Sequence, residues 1–514
     1  TFYDFLRPEN QGKKAYVCNG TACMTAGTQD DVRKKLNNQF SANEIGEMCC
    51  LGRCHENSAF HVNGKNFSGS DIDNLKNICE KQNTTVEKYH VGHSGTPILT
   101  ASYPATPDYY QIFRDCLKKE PAALIEELKK SGLRGRGGAG FSMAFKLDSC
   151  RNVKGETKFI VCNADEGDPG AFSDRYIMEQ RPHALLMGMM IAGYIVGAGH
   201  GVVYIRGEYP ESVDIISDAI EELRTEGLIG TDILGSGFYD EFKVIKAEGA
   251  YICGEETALL DSLEGFRGQP RLRPPFPAIA GLYARPTVVN NVESIASVPA
   301  IVMNGAEWYQ SMGTEKSKGT TLYSLSGHVA NPGQFEAPLG ITLREILELA
   351  GGMRPGHKLK FWTPGGSSTP LFTDEHLDVP LDYEGVAAAG SMLGTKALQI
   401  FDETTCVVRA VLRWTEFYKH ESCGKCTPCR EGTWWLVQIL RDLEVGKGTE
   451  ADLAKLLDLC DNIMGRSFCA LGDGATSPIT SSIKYFRDEY IAHLTNGACP
   501  FDPVASTLFV GAGA

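Results

Sequence analysis

The segment ESCGKCTPCREG, residues 421–432, contains three cysteines at C-x₂-C-x₂-C spacing, and a fourth cysteine follows in RSFCALGDG at residues 466–474. Thiolates at this spacing ligate a 4Fe–4S cluster, three from one tight loop and one from elsewhere in the fold. A structural zinc site is the alternative, but such sites usually combine two separate CxxC pairs. The pattern therefore predicts an electron-transfer protein with a 4Fe–4S cluster on Cys423, Cys426, Cys429 and Cys469.

Composition narrows the class of protein. The chain has 514 residues, more than one ordinary core accommodates, so we expect three or four domains. No apolar run is long enough to span a bilayer, which predicts no direct membrane insertion. The formal net charge of −14 argues against a nucleic-acid partner. Seventeen cysteines without a visible signal peptide favour the reducing cytoplasm.

A second group of cysteines lies near the N-terminus. Cys18 and Cys23 have C-x₄-C spacing, and Cys50 and Cys54 have C-x₃-C spacing; Cys49 is the alternative third ligand, but the spacing to Cys54 favours Cys50. Short strands and one helix are predicted around them, so the four sulfurs would meet at one edge of a small α/β sheet. The spacing resembles that of thioredoxin-like 2Fe–2S ferredoxins, and a disulfide or zinc site is the alternative. The predicted elements are strands over 14–18, 44–50 and 58–63 and a helix over 30–40.

A glycine-rich loop, GLRGRGGAGF at residues 132–141, carries the main binding signal of the middle of the chain. Five glycines in ten residues allow close backbone approach, and Arg134 and Arg136 supply positive charge. A helix is predicted to begin near Ser142, so its amides would complete an anion site. The loop matches neither GxGxxG nor GxxxxGK(S/T), yet it indicates a phosphate cradle, with a purely structural glycine loop as the alternative.

Polar residues cluster in three further stretches, at residues 163–175, 254–256 and 276–291. A predicted strand over 158–162 runs into NADEGDPGAFSDR, so acids and amides follow the carboxyl end of a strand, where α/β sheets bind ligands. Such groups can hydrogen-bond the ring edge, the ribityl chain and the ribose hydroxyls of a flavin and a nucleotide, although singly they are most often solvated loop residues. The candidates are Asn163, Asp165, Glu166, Asp168, Gly254, Glu255, Glu256, Phe276, Asn290 and Asn291.

Together these motifs resemble the flavoprotein subunit of respiratory complex I and its soluble relatives, the diaphorase subunits of NAD-linked hydrogenases and formate dehydrogenases. The resemblance covers residues 107–500 and adds RPPFPA, PTVVNNVES and SFCALGDGATSP to the motifs above. The preceding segment is similar to the thioredoxin-like 2Fe–2S subunit that accompanies this flavoprotein, here fused to it. Soluble diaphorases carry this fusion more often than respiratory complexes do.

The resemblance also implies site residues. Two positions depart from the family's pattern, since Asp168 stands where complex I members usually have glutamate and Ser149 where they often have an aromatic residue. Both positions bear on nucleotide binding, so NADH-versus-NADPH preference stays open. For FMN the implied residues are Gly135, Arg136, Gly137, Lys146, Asn163, Asp165, Glu166, Gly254, Glu255, Glu256, Asn290 and Asn291. For NAD(H) they are Phe141, Lys146, Asp168 and Phe276.

The predicted architecture is α/β and multi-domain. We expect a thioredoxin-like 2Fe–2S module over 1–95, ending in a linker over 90–107, and an FMN- and NAD(H)-binding α/β domain over 96–312. A ubiquitin-like β-grasp module is expected over 313–400, from two strands around a turn at Asn331 followed by a helix. A helical 4Fe–4S domain is expected over 401–514.

The expected function is that of a diaphorase subunit in a soluble multi-subunit oxidoreductase. Hydride would pass between NAD(H) and FMN, and single electrons between FMN and the iron–sulfur clusters. No protein acid or base is required, and Arg136, Glu166 and Glu256 would tune the flavin electrostatically. The expected partners are the other subunits of a formate dehydrogenase or hydrogenase, iron–sulfur subunits included. The alternatives are a respiratory complex I subunit and an electron relay without nucleotide turnover.

Overall fold

The computed structural model describes residues 3–80, 89–155 and 157–501, and has the predicted mixed α/β architecture. Its described residues form three sheets and a C-terminal group of long helices. The predictions for residues 1–2 and 502–514 lie outside the described residues.

The N-terminal sheet has the strand order β2-β1-β3-β4, with β1 parallel to β2 and antiparallel to β3. Its three predicted strands and its helix are present. Alternate apolar side chains of β1 and β3 face a small core that also contains Val32 and Leu36 of the helix α2. The elements are β1 Ala15–Cys18, α1 Thr21–Ala26, α2 Gln29–Leu36, β2 Ile45–Met48, β3 Phe60–Val62, β4 Lys65–Phe67, α3 Leu75–Cys79 and β5 Val91–His93.

The predicted linker over 90–107 differs from the observed structure, because β5 lies inside it and pairs with a strand at residues 334–336. The carboxylate of Glu336 then accepts the backbone amides of Ile98, Leu99 and Thr100 at 2.8–2.9 Å. A buried carboxylate needs such donors, since leaving it unpaired away from water is costly. The segment is therefore anchored to the later sheet, which glycine, serine and proline content alone did not indicate.

The central sheet has four parallel strands in the order β8-β7-β6-β9. The register pairs Asn163 with Asn291, so the polar ends of two strands meet at one edge. The helix α9 is apolar on nearly all sides and is buried almost throughout. The elements are α4 Thr106–Tyr109, α5 Gln111–Cys116, α6 Pro121–Ser131, α7 Met143–Asn152, β6 Phe159–Ala164, α8 Ser173–Gln180, α9 Pro182–Val196, β7 His200–Ile205, α10 Pro210–Thr225, β8 Glu241–Lys246, α11 Glu256–Leu263, α12 Pro277–Ala280, β9 Thr287–Asn291, α13 Val292–Ala296, α14 Val298–Asn304 and α15 Ala306–Gln310.

The third sheet is mixed, with the order β13-β12-β14-β10-β11-β5. The predicted turn at Asn331 joins its antiparallel pair β10 and β11. The predicted helix follows as α16, and Thr342 and Glu345 form a capping box at its start. The elements are β10 Thr320–Gly327, β11 Gly333–Pro338, α16 Leu343–Leu349, β12 Leu359–Thr363, β13 Phe372–Thr373, α17 Tyr383–Ala388 and β14 Ala397–Asp402.

The C-terminal helices pack as a bundle around Trp414, Leu436, Leu456 and Ile479, all buried. The first cysteine loop connects the first two helices, and the fourth cysteine precedes the last helix. In the described part of the chain, no helix has the length and apolar character that crossing a membrane requires. The helices are α18 Val407–Glu421, α19 Thr427–Glu444, α20 Glu450–Ile463 and α21 Leu471–Asn496.

Candidate functional site

The glycine-rich loop closes on itself in front of α7. The amide of Gly135 donates to the carbonyl of Phe141 at 2.7 Å, and Ser142 caps α7 by accepting the amide of Phe145 at 3.3 Å. Gly138 and Gly140 have φ of +117° and +63°, conformations that L side chains rarely adopt. The loop thus exposes backbone at the N-terminus of a helix, as an anion cradle requires.

Arg136 lies beneath this loop rather than at its open side. Its guanidinium is buried and donates to the hydroxyl of Tyr309 at 2.9 Å and to the carbonyls of Lys318 and Thr320 at 2.8 and 3.1 Å. Its own amide donates to Ser294 Oγ at 2.7 Å. Through Nη2 the side chain holds the loop against the start of β10, a direction that the sequence motif did not indicate, whereas its buried Nε and Nη1 have no hydrogen-bond partner among the described residues.

Two unpaired polar atoms mark the ligand side of the central sheet. Asp165 Oδ2 and Asn290 Nδ2 are buried and have no hydrogen-bond partner among the described residues. Burial raises the pKa of the Asp165 carboxyl well above its usual range. A Cβ on Gly254 would lie 3.2 Å from the carbonyl of Asp165, so the absence of a side chain keeps this space open. A carboxyl oxygen and an amide nitrogen that are buried without partners fit the polar edge of FMN, which carries both donors and acceptors.

Neighbouring polar residues shape this edge by binding each other. Asn163 Nδ2 donates to the carbonyl of Gly254 at 2.8 Å. Asn291 caps α13 and donates to Asp174 Oδ2 at 2.6 Å. A Cβ on Gly137 would lie 3.0 Å from Asn291 Cβ, tighter than ordinary contact. A side chain at Gly137 would therefore displace the loop or the end of β9 by a few tenths of an ångström.

Two of the predicted glutamates cap helices. The Glu166 carboxylate accepts the amides of Asp174 and Arg175, at 2.9 and 3.1 Å, at the start of α8. Burial raises the pKa of Glu166, and those two amides partly offset the rise. Glu255 accepts the amides of Thr257 and Ala258, at 3.0 and 2.9 Å, at the start of α11. Both carboxylates are thus held in place by backbone amides of this chain.

Glu256 instead joins two cations at the mouth of the site. Its Oε2 accepts from Lys146 Nζ at 2.7 Å, and its Oε1 accepts from Arg273 at 3.1 Å. Lys146 also donates to the carbonyl of Val289 at 3.1 Å. These three side chains are partly exposed, so a nucleotide phosphate or carboxamide can reach them. The sequence analysis did not select Arg273, although it lies in the RPPFPA run.

Asp168 points toward the third sheet. Its Oδ1 accepts from the amide and hydroxyl of Ser367 at 3.0 and 2.7 Å, and its Oδ2 from the hydroxyl of Ser368 at 3.0 Å. Burial raises the pKa of Asp168 to about 6. The carboxylate is 3% exposed, so contact with NAD(H) would require these serines to move. The prediction for NAD(H) at this residue stays a prediction.

Three phenylalanines of the glycine-rich loop, α7 and the RPPFPA run are exposed to solvent. Phe141, Phe276 and Phe145 are 51%, 53% and 60% exposed, which is unusual for aromatic side chains. The rings of Phe141 and Phe145 meet edge to face at a centroid distance of 5.5 Å. The predicted Phe141 and Phe276 are therefore accessible, and exposed rings suit stacking on a base. Phe145, directly before Lys146, is a further aromatic residue that the sequence analysis did not select.

The C-terminal cysteine loops meet at one end of the helical bundle. The amide of Phe468 donates to Cys426 Sγ at 3.4 Å, and Ser422 Oγ lies 3.2 Å from Cys429 Sγ. Lys425 Nζ lies 4.2 Å from the ring centroid of Phe468. The structure thus brings the loop of the first three predicted cysteines against the segment that carries Cys469.

Burial raises the pKa of Cys469 to about 12 and that of Cys429 to about 11. Burial thus disfavours the thiolate form of both groups, and binding a metal cluster would displace their protons. Soft sulfur donors from two adjoining loops fit a 4Fe–4S cluster.

The N-terminal cysteines also converge. Cys50 Sγ lies 3.3 Å from Cys54 Sγ, and the amide of Ala59 donates to Cys23 Sγ at 3.5 Å. Hydrogen bonds from Cys18 and Cys54 hold the pKa of Cys50 well below its usual range. All four predicted cysteines are buried in one cluster with Cys49 packed against it, and the sulfur in contact with Cys54 is that of Cys50. Four sulfurs fit a 2Fe–2S cluster in donor chemistry.

Cys162 and Cys253 lie apart from these groups. Both are fully buried, as expected of small apolar residues. Cys162 lies in β6, within the predicted strand over 158–162, and Cys253 lies in a 3₁₀ turn, Tyr251–Gly254. The turn delivers the chain to the start of α11.

Comparison with known proteins identifies the family. Family models match the Nuo51 FMN-binding domain over residues 128–300, the NADH-ubiquinone oxidoreductase-F iron–sulfur binding region over 409–493 and the SLBB domain over 322–372. The F subunit of NADH-quinone oxidoreductase from Streptomyces coelicolor is 65% identical over 400 residues, covering 78% of this chain and 89% of that protein. The F subunit from Escherichia coli is 43% identical over 442 residues, covering 83% of this chain and 98% of that protein.

Solved structures extend the similarity. The NAD⁺-reducing NiFe-hydrogenase in its H₂-reduced state superposes with a TM-score of 0.85 at 31% identity, covering 98% of this chain and 87% of that chain. The same hydrogenase in its air-oxidised state superposes with a TM-score of 0.84 at 30% identity, covering 98% of this chain and 89% of that chain. The resemblance inferred from the motifs is confirmed, and so is the predicted fold class. This chain belongs to the family of NADH-oxidising flavoprotein subunits of complex I type, oxidoreductases that use NADH, FMN and a 4Fe–4S cluster.

Proposed function

We propose that the chain is the diaphorase subunit of a multi-subunit oxidoreductase that couples NAD(H) to a hydrogenase or a formate dehydrogenase. The observation that carries the proposal is the N-terminal four-cysteine module packed on the flavin domain. The NAD⁺-reducing hydrogenase chain matches 98% of this chain, whereas the Streptomyces coelicolor relative aligns with 78%. Hydrogenase is therefore the favoured partner, and the cytoplasm is the proposed location.

The cofactor site is proposed at the carboxyl edge of the central sheet. Bound FMN would exchange hydride with the nicotinamide and single electrons with iron–sulfur clusters. The glycine loop would receive its phosphate, while Asp165 and Asn290 would pair with its polar edge. The proposed FMN residues are Gly135, Arg136, Gly137, Lys146, Asn163, Asp165, Glu166, Gly254, Glu255, Glu256, Asn290 and Asn291, with Arg136, Glu166, Glu255 and Asn291 acting through the backbone they hold.

The nucleotide would approach from the exposed side. Phe141 and Phe276 present accessible rings for the adenine, and Lys146 and Arg273 present cations for the pyrophosphate. Glu256 holds both cations in place before the nucleotide arrives. This preorganisation lowers the cost of ordering two long side chains on binding.

The N-terminal cysteines adjoin the cofactor edge through one tyrosine. A Cβ on Gly52 would lie 2.6 Å from the Tyr209 ring, and the Tyr209 hydroxyl donates to Glu166 at 3.3 Å. We propose that Cys18, Cys23, Cys50 and Cys54 hold a 2Fe–2S cluster that exchanges electrons with the flavin. The C-terminal cluster would pass electrons to partner subunits.

A respiratory complex I subunit is the second candidate, favoured by the 65% identity to the Streptomyces coelicolor relative. An electron relay without nucleotide turnover is less well supported, because the unpaired Asp165 and Asn290 atoms favour a flavin-binding role for this edge.

The first test is anaerobic purification of the chain, followed by titration with NADH and then NADPH. We expect flavin bleaching together with EPR signals of two cluster types. The nucleotide that produces them at the lower concentration is the preferred one. Clusters that appear only with dithionite would contradict the diaphorase proposal and favour the relay.

A second test identifies the partner. The chain is affinity-tagged in its own cells, and the complex is isolated anaerobically and assayed for NAD⁺ reduction by H₂, NAD⁺ reduction by formate, and NADH-dependent quinone reduction. H₂-dependent activity is expected. Quinone reduction alone would select the respiratory alternative.

A further inference from the structure

A group of metal-ligand side chains lies in the helical bundle, outside both cysteine sites already described. Cys406, Glu444, His493 and Cys499 each direct one ligand atom into a space where all four atoms lie within 4.8 Å of one another. Cys406 and His493 are fully buried, and Glu444 is 9% exposed. Two thiols, an imidazole and a carboxylate form a donor set typical of zinc.

The separations of the ligand atoms match one tetrahedral ion. Cys406 Sγ lies 3.3 Å from His493 Nε2 and 3.7 Å from Glu444 Oε2, and these two atoms lie 3.4 Å apart. Zinc binds nitrogen, oxygen and sulfur at about 2.0–2.3 Å, so the edges of its tetrahedron are about 3.3–3.8 Å long. A single hydrogen-bonded pair can also have such a separation. Here all three atoms lie at these distances from one another, so they surround one common centre.

Outer contacts orient the ligand atoms. His493 Nδ1 lies 2.8 Å from the carbonyl oxygen of Glu489, so Nδ1–H donates there and Nε2 keeps its lone pair for a metal. Arg409 binds the other carboxylate oxygen of Glu444 at 2.7 Å, and the Arg409 amide donates to Cys406 Sγ at 3.3 Å. Most metal-bound histidines and carboxylates make a hydrogen bond of this kind to another group of the protein.

The position in the fold indicates what a metal would do. Cys406 precedes α18, Glu444 ends α19, His493 lies in the last turn of α21, and Cys499 follows the end of that helix. The predicted 4Fe–4S loop joins the opposite ends of α18 and α19, and a 15-residue helix is about 22 Å long. Zinc has no redox chemistry, so an ion here would bind three helix ends together without carrying electrons.

We propose that Cys406, Glu444, His493 and Cys499 bind one structural Zn²⁺ that closes the helical bundle at the end remote from the 4Fe–4S loop.

The test uses the full-length chain with its cofactors, produced anaerobically in zinc-supplemented medium and washed with a weak chelator. Elemental analysis is expected to give about one zinc per chain. The zinc X-ray absorption edge is well separated from that of iron, so its fine structure reads this site without interference from the clusters. Two sulfur and two nitrogen or oxygen ligands are expected, at about 2.3 and 2.0–2.2 Å.

Variants assign the ligands. Cys499→Ser is expected to lose most of the zinc while keeping its FMN content and 4Fe–4S EPR signal. Cys460→Ser is the matched control, because Cys460 is also buried in this bundle but is not in the group. It should retain zinc. If Cys499→Ser does not fold, the absorption spectrum of the unaltered chain decides alone.

Three results would overturn the proposal: a chain without zinc, a zinc edge without sulfur ligands, or equal zinc in Cys499→Ser and the unaltered chain. A disulfide between Cys406 and Cys499 in the anaerobically purified protein, found by mass spectrometry after alkylation, would overturn it as well.

Discussion

The two cysteine sites of this chain differ in how far the protein withdraws them from solvent. The N-terminal cysteines are all buried, with exposures of 1–4%. At the C-terminal site Cys423 and Cys429 are buried, but Cys426 and Cys469 are partly exposed. The N-terminal site is enclosed by Met48 and Phe172, whereas Phe468, Trp434 and Trp435 stand 39–52% exposed near the C-terminal site.

The difference indicates separate roles for the two sites. Electron transfer between subunits requires a cluster close to a surface that a partner can cover, and large exposed aromatic side chains are enriched where partners bind. The C-terminal site meets both conditions. The N-terminal site faces the flavin domain through Tyr209, so we infer that it exchanges electrons inside the chain.

The C-terminal site, with its partly exposed cysteines, is the outer site, and the buried N-terminal site is the inner site. The largest effect is expected from disrupting the outer site. In Cys426→Ser, the 4Fe–4S EPR signal should disappear and electron delivery to the partner subunits should fall to background, because one thiolate ligand is lost. NADH should still bleach the flavin, since the pocket lies elsewhere. Stopped-flow absorbance and EPR on the same anaerobic sample measure both.

Cys79→Ser is the control for this variant, since Cys79 ends α3 and is only partly buried. It should match the unaltered chain. An intact 4Fe–4S signal in Cys426→Ser would remove Cys426 from the ligand set, and normal delivery without the cluster would show that the inner site reaches the partner.

Gly137→Ala should affect both sites at once, because it should lower the FMN content and with it the supply of electrons to either site. Its Cβ would meet Asn291 Cβ at 3.0 Å, so either the loop or the end of β9 must shift. Such overpacking costs about 1–3 kcal/mol, which corresponds to about 5- to 150-fold weaker FMN binding. FMN content after gel filtration measures the loss.

Gly155→Ala is the matched control, because its Cβ would meet Pro286 at an ordinary 3.6 Å. Equal flavin content in the two variants would contradict the assignment of the loop as the phosphate cradle.

Removing the inner site should have a smaller effect. Cys54→Ser is expected to lose the 2Fe–2S EPR signal, while NADH-driven delivery to the partner stays close to that of the unaltered chain, because electrons leave through the outer cluster. Steady-state NADH oxidation by the intact complex measures this. A collapse of delivery comparable with that of Cys426→Ser would break the comparison and make the inner site part of the main route.

Cysteine spacing predicted much of this arrangement, because ligand sets are local sequence patterns. It identified eight cysteines that the fold gathers into two groups, and the parallel strands carry the predicted polar residues to one edge. Spacing could not tell where long side chains point. Arg136 and Glu166 occupy motif positions, yet one anchors a loop and the other caps a helix.

Contacts between segments that are far apart in the chain also could not be predicted from the sequence. The strand Val91–His93 looked like a linker because its partner lies about 240 residues away, at Gln334–Glu336. The zinc-type group was missed for the same reason, since Cys406 and His493 are 87 residues apart and no short motif connects them. Contacts between distant segments depend on how the domains pack, which local propensity does not encode.

The smallest expected effect concerns electron entry and should leave both cluster signals unchanged. Arg273→Gln removes one of the two cations that Glu256 holds at the mouth of the pocket. A charged hydrogen bond to a phosphate contributes about 1.5–3 kcal/mol, so we expect KM for NADH to rise about 10-fold or more with kcat nearly constant. Arg285→Gln, an exposed arginine of the neighbouring turn, is the control and should behave like the unaltered chain. A fall in kcat without a change in KM would place Arg273 in positioning the nicotinamide rather than in holding the phosphates.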